Sequence, residues 1–391
     1  MIFRELHTIY PVGDQFQILH EAKSAFAYYQ DHRVDLITGE KTIAPLGQWF
    51  HELSKRTFDS TQKKRVTHVF YELGELIELK SFSNELLAID IEYKRELVVK
   101  KFSPIGKALK LSEVSSVSKS RYKKAFDRVQ DSLQRGDCYQ INLTFPSVYS
   151  FSEYKVEEFY SSLWKNKEAR APYAHATFIP LWNKLYLSNS PECLFQARSF
   201  EHKLSLWSMP IKGSLKCEGA VTDEQWHKLS SCQKNQGELY MITDLIRNDL
   251  SRISSPYSKV IKKKAPLKVP NILHQYSLIA VELSPKTNLL DVLVALFPGG
   301  SITGAPKKKV VSLIKDIEGE KRGFYTGSTI IQNGSLQAAS INIRSSEICF
   351  NSKTLIYSAG GGITLKSDLE GEYDEMNLKK YSFINTLSDL I

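Results

Sequence analysis

The chain reads as an α+β protein built on a large, mainly antiparallel system of β-sheets. Short strand-like segments dominate, and helical segments interrupt them irregularly instead of alternating with them. The 391 residues are 42% hydrophobic, ample for a large core. Aromatic residues reach 11% and apolar segments are spread evenly, which argues against disorder. A chain of this length suits two or three domains, although large β folds also run this long as one.

The first hundred residues carry the weakest pattern. Val66 to Leu79 mixes apolar and acidic residues and suits either strand or helix. Ser112 to Ser120 is rich in serine and reads as a connector. Tyr122, Phe126, Val129 and Leu133 then recur at helical spacing, with Gly136 as a stop. Gln140 to Phe145 alternates strictly, with Ile141, Leu143 and Phe145 on one face and Gln140, Asn142 and Thr144 on the other. That predicts a half-buried strand whose polar face meets water or lines a site. Further strands are predicted at Lys184 to Leu187, Lys203 to Trp207, Gly327 to Gln332, Ala338 to Arg344 and Thr354 to Ser358. A helix fits Gly237 to Leu250, where Leu239, Ile242, Ile246 and Leu250 form its apolar stripe. Another starts near Pro306. The last begins after Ser367, where Ser367 and Glu370 suit a capping box.

The formal net charge is +9, with lysine triplets at Lys262 to Lys264 and Lys307 to Lys309. These form either a solvated basic surface or a field that attracts an anion. No helix-turn-helix, zinc finger or RNA-binding aromatic signature accompanies them, so a small anionic substrate is the better functional expectation than nucleic acid. The five cysteines are scattered and never spaced C-x-x-C. That fits a reducing cytosol rather than a disulfide framework or a zinc site. The opening MIFRELHTIY lacks a signal-peptide pattern. No run approaches the ~18 apolar residues of a membrane span.

Several residues have chemical potential. Glu372, Glu375 and Lys379 share one helix face. They read as a solvated ladder, or as two oxygen ligands for a divalent cation beside an ammonium; magnesium takes one or two carboxylates and keeps waters and substrate oxygens. Glu238 opens the middle helix, where a carboxylate is ordinary dipole matching. Ala359-Gly-Gly-Gly-Ile363 is a flexible turn or an anion nest. Pro298 to Lys307 looks like a phosphate loop but lacks the G-K-[ST] ending, which excludes an ATP-type loop. Lys212, beside Gly213, is an exposed turn residue or, in a closed site, a nucleophile. Glu192 is a loop carboxylate or a general acid. His274 lies in an apolar segment and by default is a satisfied core histidine. Arg344, at a strand end, clamps a carboxylate or faces solvent.

The strings GDCYQINLT, SPECLF, MPIKGS, DLIRNDLSRI, FPGGSITGAPK, INIRS and AGGGITLKSDLEGEYDE run in this order from about Ser120 to Lys380. Together they resemble the chorismate-utilising enzymes: anthranilate, aminodeoxychorismate, isochorismate and salicylate synthases. YELG at Tyr71 to Gly74 carries the likeness back to about residue 65. The resemblance implies a single chorismate-binding domain over 1–391, with a variable N-terminal part (1–110) and a catalytic core (111–391). Its fold would be two large packed antiparallel sheets, helices outside, and a site in the cleft between. Mg²⁺ is implied at Glu238 and Glu375, with Glu372 close by. Gln140, Thr303, Tyr325, Arg344, Gly360, Gly361, Gly362 and Lys379 are implied to bind chorismate, and Lys212, Glu192 and His274 to act in catalysis.

Two positions sort the subfamilies. Aminodeoxychorismate synthases resemble PIKG where anthranilate synthases resemble PIAG, and Lys212 matches the former. Water-adding relatives carry a lysine base where this chain has Gln140. Both point to amination of chorismate, and the resemblance implies attack by Lys212 and protonation of the leaving hydroxyl by Glu192; with the scattered cysteines, a cytoplasmic location is expected. Ser214, Gly237 and Ser345 depart from the usual threonine, alanine and threonine. The serine motif that binds tryptophan in feedback-inhibited relatives is not found, so that regulation is not implied. Nor is a glutaminase nucleophile elbow found, so ammonia is expected from a separate glutamine amidotransferase subunit or from solution.

Overall fold

A computed structural model describes residues 2–58, 63–100, 109–165, 167–200, 203–217, 219–253, 257–269 and 272–388. Its strands form two antiparallel sheets that share one long strand, Gln15–Tyr28. On one side this strand pairs with Ala88–Val99, and the sheet continues through Lys64–Val69, Ser328–Asn333, Leu336–Ile341, Cys193–Phe200 and Lys203–Met209 to Ile272–Glu282. Ile211–Lys216 and Lys259–Val269 also pair with that last strand. On the other side it pairs with His7–Val12, followed by Tyr173–Ile179, Lys184–Ser190, Ser345–Cys349, Thr354–Ile363 and Gln140–Phe151. The sheets face each other: His68 Nε2 lies 2.9 Å from Thr177 Oγ1, and Thr8 Oγ1 lies 2.8 Å from the Tyr93 hydroxyl. Helices Lys119–Gln134, Gln233–Ser251, Lys307–Glu318 and Leu369–Ser388 pack outside. One apolar cluster runs from Ile9 to Leu387 and includes the fully buried Trp49, Phe159 and Phe297. Among the described residues no helix is long and apolar enough to cross a membrane.

Val66 to Leu79 holds both alternatives: the strand Lys64–Val69 gives way at Phe70 to the helix Tyr71–Leu79. Part of the serine-rich connector is an edge strand, Leu111–Ser115, whose exposure erases the alternation expected of a strand. The polar face of Gln140–Phe151 does not meet water, since Gln140 is 0%, Asn142 7% and Thr144 3% exposed. Lys307 is likewise no surface charge: it is buried and pairs with Asp249 at 2.8 Å. The middle helix starts at Gln233, so Glu238 stands in its second turn and not at its opening. The final helix starts at Leu369, and its cap is not the Ser367–Glu370 box. Asp368 accepts from the Gly371 N–H at 2.8 Å, Ser367 donates to Glu372 at 2.6 Å, and Glu370 pairs with Lys119.

The triple glycine departs furthest from expectation. It is neither turn nor nest but the end of the strand Thr354–Ile363, in register with Gln140–Phe151. Its glycines permit close approach. A β-carbon on Gly360 would stand 2.1 Å from the Leu143 carbonyl oxygen, which a paired strand cannot withdraw. Gly360→Ala is therefore expected to destabilise the fold by about 2–3 kcal/mol, read from the denaturation midpoint. An unshifted midpoint would contradict this packing.

Candidate active site

The ends of these strands and helices enclose a cavity of about 200 Å³, between the triple glycine, the strand Ile211–Lys216 and the helices Gln233–Ser251 and Leu369–Ser388. Lys212 enters it from the strand. The pairing with Ile272–Glu282 slips one residue between Lys212 and Ser214, and Gly213 takes φ +73° at the slip. Lys212 is thus half-buried in a strand rather than exposed on a turn, and its Nζ donates to the Ser301 carbonyl at 3.2 Å.

Glu192 lies in the link between strands Lys184–Ser190 and Cys193–Phe200 and is 3% exposed. Burial pushes its carboxyl up to about 7, while the Ser301 hydroxyl and Lys212 hold it back. The Ile211 N–H also lowers it, and among the described residues Glu192 Oε1 completes no hydrogen bond. A carboxyl that keeps its proton near neutrality and has an uncommitted oxygen at a cavity is suited to deliver a proton.

His274 is more than a satisfied core residue. Burial, reinforced by Arg344, lowers its pKa to about 3, so the ring is neutral. Nδ1 lies 2.8 Å from the Gly213 carbonyl, which can only accept, so the proton sits there. Nε2 then accepts from Arg344 Nη2 at 3.1 Å. The histidine therefore aims Arg344, which lies past the strand Leu336–Ile341 in a left-handed conformation (φ +50°) and lines the cavity. Tyr325 lines it too, its phenol kept neutral by burial.

The helix Leu369–Ser388 brings Glu372, Glu375 and Lys379 to the opposite wall, and Glu238 arrives from the middle helix. Lys379 Nζ pairs with Glu375 Oε1 and donates to the Gly360 carbonyl, both at 2.8 Å. Among the described residues no three carboxylate, histidine or cysteine side chains are already gathered into a metal cage. The donor chemistry nonetheless fits magnesium, which needs few carboxylates and completes its shell with water and substrate oxygens. Gly361 keeps that wall open, since a β-carbon there would stand 3.2 Å from Glu372 Oε2.

Two predicted substrate residues are not on the cavity wall. Thr303 is fully buried and spends its hydroxyl on the Gly299 carbonyl of its own helical turn. Gln140 lies behind Gly362, fully buried, with neither amide atom partnered among the described residues. Gly360, Gly361 and Gly362 do line the cavity. So do Asn142, Asn235, Ser301 and Tyr357, which sequence reasoning did not single out as site residues. The polar face of Gln140–Phe151 was the available signal for Asn142. Asn235 needed the helix start at Gln233.

The profile described as chorismate binding enzyme matches residues 19–385. Aminodeoxychorismate synthase component 1 of Salmonella typhimurium is 34% identical over 267 residues, covering 67% of this chain and 56% of that protein. An uncharacterized PabA-like protein of Pasteurella multocida is 32% identical over 275 residues, covering 68% of this chain and 77% of that protein. The chain thus spans little more than half the length of the Salmonella protein. The crystal structure of anthranilate synthase component I from Streptococcus pneumoniae shares the fold, with a TM-score of 0.78 at 18% identity over 96% of this chain and 93% of that one. With a match running through nearly all of its length, the chain belongs to the chorismate binding enzyme family.

Proposed function

We propose that the protein aminates chorismate to 4-amino-4-deoxychorismate, on the route to 4-aminobenzoate and folate. Magnesium would be held by Glu238, Glu372 and Glu375, and ammonia would come from a separate glutamine amidotransferase subunit. The observation that carries this reading is the approach of Lys212 to the buried acid Glu192 in one cavity. A glutamine at position 140, where a water-adding enzyme would need a base, supports ammonia as the incoming group.

The chemistry balances with these groups. The lone pair of neutral Lys212 attacks the ring carbon beside the carboxylate-bearing carbon. The ring double bonds shift, and the C4 hydroxyl departs as water with the Glu192 proton. Ammonia then attacks C4, the double bonds shift back, and Lys212 leaves as a neutral amine. Glu192 recovers its proton from the new ammonium. Arg344, aimed by His274, and Lys379 hold the substrate carboxylates, and Tyr325 donates from a neutral phenol. Magnesium, when bound, supplies Lewis-acid stabilisation of charge on the ring carboxylate. Each displacement is relayed through the shifting double bonds between C4 and the carbon that Lys212 attacks, and the second reverses the first, so configuration at C4 is retained overall.

Incubation of the purified protein with chorismate, Mg²⁺ and ammonium, followed by product identification, tests the reading. 4-Amino-4-deoxychorismate is expected. Anthranilate forming without an added lyase would replace this reading with anthranilate synthesis.

A further inference from the structure

Behind the cavity wall lies a buried ion pair that takes no part in the chemistry above. The Arg322 and Glu318 side chains are each 3% exposed. They pair in a fork, Nη2 to Oε1 at 2.7 Å and Nε to Oε2 at 2.9 Å. The remaining N–H groups reach separate segments of the chain. Nη1 donates to the Ile302 carbonyl at 2.8 Å and, at 3.4 Å, to the Thr326 hydroxyl. Nη2 also donates to the Asn142 carbonyl at 2.7 Å. The guanidinium lies 4.6 Å from the centre of the Tyr71 ring. Glu318 Oε1 in turn accepts from the Thr144 N–H at 2.9 Å and hydroxyl at 3.2 Å.

The three segments whose oxygens accept from Arg322 beyond Glu318 are at the cavity or next to it. Asn142 and Ile302 line it, and Thr326 follows Tyr325, which lines it. Ile302 follows Ser301, whose carbonyl receives Lys212. Arg322 itself does not line the cavity. A buried pair of this kind is weak evidence for stability, because apolar replacements of equal volume are often neutral. What a planar fork of five donors supplies, and an apolar plug does not, is direction. Here it ties the Asn142 strand and the Ser301–Ile302 turn to its own segment, which carries Tyr325 and Thr326.

We propose that Arg322, held by Glu318, is a positioning residue. It fixes the Ser301–Ile302 turn, Asn142 and Tyr325 so that the Ser301 carbonyl presents Lys212 toward the substrate. This rests on the reading of Lys212 as nucleophile.

The test uses the full chain with R322M, R322K and E318Q. R322M is expected to lower kcat about 100-fold while KM for chorismate changes less than about 3-fold, since a misplaced nucleophile costs rate more than binding. E318Q and R322K are expected to fall between R322M and the parent protein. Labelling of Lys212 by pyridoxal phosphate, fixed with borohydride and located by mass spectrometry, should change rate in R322M without any substrate. Variants that melt like the parent, with kcat and Lys212 labelling both unchanged, would overturn the proposal. So would losses no larger than the loss of folded protein. If the parent protein does not aminate chorismate, the labelling rate still decides the positioning claim. If R322M does not fold, E318Q and R322K decide it.

Discussion

Lys212→Ala should cut product formation by at least ~1,000-fold and abolish any covalent adduct between protein and substrate. A nucleophile at position 212 would have no substitute among the described residues that line the cavity. Lys379, the other ammonium among the described residues there, is tied to Glu375 and to the Gly360 carbonyl. Substrate binding should survive, because Arg344, Tyr325 and Lys379 remain. The fold should lose only about 1 kcal/mol, the worth of one hydrogen bond to Ser301. Rapid quench followed by mass spectrometry of the intact protein looks for the adduct, and calorimetric titration with chorismate follows binding. A variant as fast as the parent would remove Lys212 as nucleophile and leave the family assignment intact.

Glu192→Gln should separate catalysis from stability. An amide cannot deliver the proton, so kcat should fall by about 100-fold or more. In the parent protein the rate should decline as pH rises through about 7, where the acid form disappears. On stability the substitution acts in the opposite direction to its effect on rate. The folded carboxyl titrates at about 7 against an ordinary 4.5, so the folded protein holds a proton that the unfolded chain has released. That contribution is complete below 4.5 and is lost as pH rises through 7. Glutamine does not titrate. The variant should therefore match the parent at pH 4 and exceed it by about 3 kcal/mol at pH 9. Thermal melts at both values measure this, and an equal difference at the two would refute burial as the cause of the high pKa.

Helices with a clean apolar stripe, such as Lys119–Gln134, were legible because one face meets water and the other the core. The triple glycine was not. Glycine has no side chain to alternate, and its use here, contact with a neighbouring backbone, depends on a partner strand more than 200 residues away in the sequence. Lys212 was legible only through its surrounding motif, because the bulge that turns it inward arises from pairing with Ile272–Glu282. His274 illustrates the same limit. Its apolar neighbours predicted burial correctly, while its partners, the Gly213 carbonyl and Arg344, come from distant segments. The shared face of Glu372, Glu375 and Lys379 followed from helical period alone, but period could not say that this face closes a cavity.

The two-sheet topology also governs when the protein can become itself during synthesis. Strand Lys64–Val69 waits for Ser328–Asn333, and Gln140–Phe151 waits for Thr354–Ile363. Until the ribosome has released most of the chain, these strands have open edges and apolar faces without cover. Pairings of such long sequence separation fold slowly and expose the nascent chain to aggregation. The glycine strand and the helix carrying Glu372, Glu375 and Lys379 emerge after the strands they cover and complete both the sheet and the cavity, so truncation before Thr354 should cost solubility and activity together.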